Sequence, residues 1–126
     1  MSAELRERVK QRLCETQYLE AARRQVSDAE LDGCCLEQAP DIALCLVEHT
    51  RGLTSAELGK HLRERGRYPV GLSLLVTLVV LEHAGFLRAV DGAYGLTAVR
   101  FQLAAPIWAV VADEVGQHDY AQQSHG

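Results

Sequence analysis

Cys45 and His49 stand four residues apart, a spacing that puts a thiol and an imidazole on one face of a helix, where both can hold one metal ion. Cys34 and Cys35 are adjacent; on a helix their side chains diverge by about 100°, so they do not form a Cys-x-x-Cys knuckle. With Cys14 the chain has four cysteines, and plain packing of reduced thiols accounts for most of them. Cys45, set among Ile42, Leu44, Leu46 and Val47, is expected to be buried and inert. One of Cys34 and Cys35 is expected to be more accessible, and any oxidant or metal sensing would sit there. His61 and His83 read as surface or boundary side chains. The sequence carries no Gly-rich phosphate loop, no nucleophile elbow and no His-Glu-x-x-His pair, so no enzyme, catalytic residue, resident metal or cofactor is expected.

The second group able to do chemistry is basic. Between positions 51 and 68, Arg51, Lys60, Arg63, Arg65 and Arg67 stand against Glu57 and Glu64, a local balance of +3 in a chain of net charge −4. The remainder therefore carries −7. Cations at the end of one helix and in the turn before the next suit contact with phosphates. Ser55 and Tyr68 flank the group, Arg88 extends it, and Ser73 and Thr77 share a helix face that could reach base edges. The plain alternative is a solvated face laced by pairs such as Lys60–Glu64.

These residues sit in a chain of 126 residues, 48% hydrophobic and 24% charged, which excludes a disordered or repetitive polymer. That length favours one domain with a core that needs no disulfides. The acidic net charge excludes a globally basic coat for nucleic acid, and 6% aromatics argue against single-strand stacking. No apolar run spans a membrane, and the charged start Met-Ser-Ala-Glu-Leu-Arg-Glu-Arg lacks a signal core, so a cytoplasmic protein without membrane association is expected.

Hydrophobic spacing predicts a first helix over 2–25, with Leu5, Val9, Leu13 and Tyr18 on one stripe. Ser27 and Glu30 form a capping-box pattern that starts a second helix carrying Cys34 and Cys35. A third is expected over 40–49. A fourth, over 55–65, is capped by Thr54 with Glu57 and closed by Gly66. A fifth runs from Pro69 to about Ala84 and stops at Gly85. Strands at 86–90 and 93–97 flank Asp91-Gly92, a two-residue hairpin signal. Residues 98–115 read as a last helix with Phe101, Trp108, Val111 and Val115 buried and a bend at Pro106, followed by a frayed tail from Gly116. The expected organisation is a single domain: an N-terminal helix over 1–26, a core over 27–97, a C-terminal helix over 98–115 and a tail over 116–126.

The stretch from Leu53-Thr54-Ser55-Ala56-Glu57-Leu58 to Leu81-Glu82-His83-Ala84-Gly85-Phe86, with Tyr94-Gly95-Leu96-Thr97, resembles winged helix-turn-helix bacterial regulators of the multiple-antibiotic-resistance, arsenic-repressor and ferric-uptake types. The resemblance covers about 42–97. It implies a mainly α fold with a small β-hairpin, a winged helix-turn-helix with additional terminal helices, and a homodimer that binds double-stranded DNA as a transcriptional regulator. The first and last helices would then form the dimer surface. One departure stands out. The helix that would enter the major groove, 70–81, contains no Arg, Lys, Asn or Gln, and an apolar helix of this kind is expected to be buried nearly all round. The alternative expectation is accordingly a winged-helix protein-interaction module that has lost DNA binding, with a protein partner on helix 70–81.

Overall fold

The computed structural model describes residues 3–29, 35–67, 71–90 and 99–124. It is mainly helical, with a three-stranded antiparallel sheet. The helices are α1 (Ala3–Cys14), α2 (Gln17–Ala29), α3 (Ala39–Val47), α4 (Ser55–Glu64), α5 (Gly71–His83) and α6 (Ala105–Ser124). The strands are β1 (Leu53–Thr54), β2 (Leu87–Val90) and β3 (Arg100–Leu103), in the order β1-β3-β2. A 3-10 turn, Leu36–Gln38, leads into α3.

The first helix is shorter than expected because Thr16 interrupts it. Its hydroxyl donates to the Leu13 carbonyl at 2.7 Å and accepts the Leu19 amide at 3.3 Å, closing α1 and opening α2 in one step. The capping pattern at Ser27 starts no helix: Leu19, Ala22 and Val26 continue an inward stripe, and α2 runs on through Ser27 to Ala29. Cys35 precedes the 3-10 turn; Cys34 lies outside the described residues.

α3 is buried on nearly every side and forms the centre of the core with Leu58, Leu62, Leu78, Leu81, Phe86, Phe101, Ile107 and Val111. Around it, α4 and α5 end alike. Gly66 and Gly85 adopt left-handed φ values of +80° and +83°. In each, the glycine amide donates to the carbonyl three residues back and the next amide to the carbonyl five back: Gly66 to Arg63 and Arg67 to Leu62, Gly85 to Glu82 and Phe86 to Leu81. These are Schellman closures, as the two glycines led one to expect.

The C-terminal third differs from expectation. β2 pairs with β3, Leu87 opposite Leu103 and Val90 opposite Arg100; the strand expected at 93–97 and the Asp91-Gly92 turn lie outside the described residues. Residues 100–103 form the central strand rather than the start of a helix, because Phe101 and Leu103 alternate with Arg100 and Gln102 and bury one face. α6 begins only at Ala105, so Pro106 falls in its first turn, where a missing amide costs nothing, and no bend is needed. The segment from Gly116 is not a frayed tail; α6 continues to Ser124. On α6, Ile107 and Val111 face the core while Trp108 is 43% exposed, outside the stripe expected for it. Nor is α5 covered all round: Leu72 is 73% exposed. No described helix is long and apolar enough to cross a membrane.

Candidate nucleic-acid interface

The basic segment is organised by the start of α4. Thr54 Oγ1 accepts the Glu57 amide at 3.2 Å, and Glu57 Oε1 accepts the Thr54 amide at 3.0 Å, a complete capping box. These bonds, the backbone one first, hold the Glu57 carboxyl below its usual range. Leu58, Gly59 and Leu62 face inward, so Lys60 and Arg63 are left on the exposed side. Ser55, the first residue of α4, is half-buried.

The expected cations divide into two groups. Arg51, Lys60, Arg63 and Arg88 are exposed, and among the described residues none of them forms a salt bridge. Arg65 and Arg67 turn toward α3 instead: Arg65 lies 3.5 Å from Glu48, and Arg67 lies 3.5 Å from the buried Asp41. Arg65 is thus paired with Glu48, while Arg67 shares the one charge of Asp41 with Arg6, whose Nε lies closer to it. Tyr68 lies outside the described residues.

Base reading from α5 by Thr77 is overturned by burial. Thr77 is 1% exposed; its hydroxyl donates to the Ser73 carbonyl at 2.7 Å and accepts the Cys35 amide at 2.9 Å. It anchors the segment before the 3-10 turn and has nothing left for a ligand. Ser73 is half-buried.

Arg100, missed at the level of sequence, adds to the exposed group. Register puts Arg88 opposite Gln102 and Val90 opposite Arg100, and paired residues project to the same side of a sheet. Arg88 and Arg100 thus share the solvent face, while Leu53, Leu87, Phe101 and Leu103 line the core face. Gln102 Nε2 donates to the Thr50 carbonyl at 2.9 Å, which holds the Thr50–Arg51 turn against the same sheet. The clue in the sequence was the alternation Arg-Phe-Gln-Leu over 100–103.

The thiols make no constellation. Cys45 is 1% exposed, and burial pushes its thiol up to about 11. His49 does not join it as a ligand: its Nδ1 donates to the Cys45 carbonyl at 2.8 Å, and its ring packs against His61. Cys14 is exposed and accepts a 3.4 Å hydrogen bond from Arg23; Cys35 is half-buried. His83 is exposed beside Glu82. Among the described residues no three His, Cys, Asp or Glu side chains converge as metal ligands.

Comparison of the chain with protein-family models, with curated proteins and with solved structures finds no match.

Proposed function

We propose that this chain is a DNA-binding transcriptional regulator of the winged-helix kind, acting as a homodimer on double-stranded DNA. The observation that carries the reading is the pair Arg88 and Arg100, exposed on one face of the β2–β3 ladder beside the turn that bears Arg51. Guanidinium groups on a two-stranded ribbon suit phosphate oxygens, and Lys60 and Arg63 on α4 add further phosphate contacts. Base readout from α5 is minor in this reading, since Thr77 is consumed inside the fold. Backbone contact supplies most of the affinity. The outward side of α6, with Trp108, Ala109, Gly116 and Tyr120 exposed, supports pairing of two copies through the terminal helices.

Fluorescence anisotropy with mixed-sequence duplexes tests the proposal. Affinity should fall steeply with salt, and Arg88→Ala with Arg100→Ala should flatten the slope of log K against log salt by about 2. No binding at ~50 mM salt would sink it.

The exposure of Leu72 at 73% on an otherwise apolar helix favours a second reading, a protein-interaction module that has lost DNA binding. Reversing the charge of Lys60, Arg63 and Arg88 together separates the two. It abolishes DNA binding under the first reading and leaves partner binding intact under the second.

A further inference from the structure

The rings of His49, just past the end of α3, and His61, in the middle of α4, lie with centroids 4.7 Å apart at an interplanar angle of 47°. The ring of His49 is held by a hydrogen bond through Nδ1, and the Nδ1 of His61 lies near a carboxylate. His49 Nδ1 donates to the Cys45 carbonyl at 2.8 Å, and His61 Nδ1 faces the Glu64 carboxylate at 3.6 Å. The carbonyl at His49 Nδ1 accepts a hydrogen bond from that nitrogen, whose proton in the neutral ring leaves the Nε2 lone pair bare. Among the described residues neither Nε2 has a hydrogen-bond partner. For His49 this is the outer arrangement that orients a histidine as a metal ligand, with its other ring nitrogen held by a backbone carbonyl.

We propose that His49 and His61 form a two-imidazole site for a borderline divalent transition-metal ion such as Cu²⁺ or Ni²⁺. Rings bound to one ion through bonds of about 2.0–2.1 Å place their centroids about 3.2 Å from it. Two rings so bound with their centroids 4.7 Å apart, the separation found here, would subtend a nitrogen–metal–nitrogen angle of about 95°. That is close to the cis angle of tetragonal coordination, which Cu²⁺ and Ni²⁺ prefer. The charge around the pair is favourable. Glu64 faces His61, and the Glu57 carboxylate interacts electrostatically with His61 from one turn earlier on α4. With no third protein ligand converging among the described residues, water completes the coordination. The bound ion bridges the end of α3 to α4, so it acts as a clamp between two elements. This site is independent of the DNA-binding reading.

The test uses the untagged chain and copper(II) chloride, read by calorimetry and electron paramagnetic resonance at neutral pH. The expected result is one ion per chain, an axial spectrum with two equatorial nitrogens, and a raised melting temperature. His49→Gln and His61→Gln should each weaken binding about tenfold or more, while His83→Gln and His118→Gln leave it unchanged. Should either pair variant fold poorly, diethylpyrocarbonate labelling of the unaltered chain replaces it: the ion should protect both His49 and His61. Binding that persists in the double variant, no binding at all, or absence of protection at these two rings overturns the proposal.

Discussion

Arg6 and Asp41 meet across the fold, with Nε of the guanidinium donating to both carboxylate oxygens at 3.0 and 3.1 Å. Arg67 approaches the same carboxylate at 3.5 Å, so α1, the first turn of α3 and the end of α4 converge on one acidic side chain that is 2% exposed. Its position in the first turn of α3 also complements the helix dipole.

Asp41→Ala should therefore be the costliest polar substitution in the chain. Removing the carboxylate strands Arg6 at a half-buried position, and a loss of about 3 kcal/mol is expected in urea denaturation. Arg67→Ala, whose side chain is 42% exposed, should cost under about 1 kcal/mol. Equal losses from the two would refute the asymmetry.

Gly52 and Gly66, both left-handed, should not respond alike to alanine. At Gly66 an added Cβ meets nothing within 4 Å, so the cost is conformational, about 1 kcal/mol. At Gly52, φ +90°, it would lie 3.0 Å from the Phe101 carbonyl oxygen, and the β1–β3 pairing must shift. Gly52→Ala should thus lower the melting temperature clearly more than Gly66→Ala.

Thr54→Ala removes the cap of α4 and should cost about 1 kcal/mol. It should also change the acid limb of stability. The Glu57 carboxyl is held below its ordinary range in the folded chain, so its contribution is complete above that range and is lost as pH falls through the lower folded value. Melts between pH 6 and about pH 3 should show a shallower acid loss for the variant than for the unaltered chain.

Thiol alkylation of the native chain should be ordered by exposure. Cys14 labels quickly, whereas Cys45, buried and pushed up to about 11, labels only on unfolding. Mass spectrometry of the digested chain reads both sites, and early modification of Cys45 would contradict its place in the core.

Local signals made α4 and the ends of α4 and α5 legible in the sequence. Thr54 with Glu57, and Gly66 and Gly85, act within a few residues of themselves. Thr16 was hidden because Leu13 and Tyr18 keep a plausible stripe across the break. β3 was hidden because four alternating residues are a weak signal beside an apolar helix, and its place is decided by distant partners, Leu53 and Leu87. The candidate site was half legible for the same reason. Cationic side chains can be counted in a sequence, but Arg65 and Arg67 are drawn to Glu48 and Asp41 at the two ends of α3, and only the fold brings Arg88 and Arg100 to one face.

The strand order β1-β3-β2 sets the sequence of events during synthesis. The two outer strands leave the ribosome before the one that joins them, and at roughly 5–20 residues per second several seconds separate Leu53 from Phe101. Until then Leu53, and Leu87 once it is made, lack their partners on β3. A nascent chain stalled short of Arg100 therefore holds β1 and β2 without the strand that joins them, a form that chaperones and proteases would meet before the folded one exists.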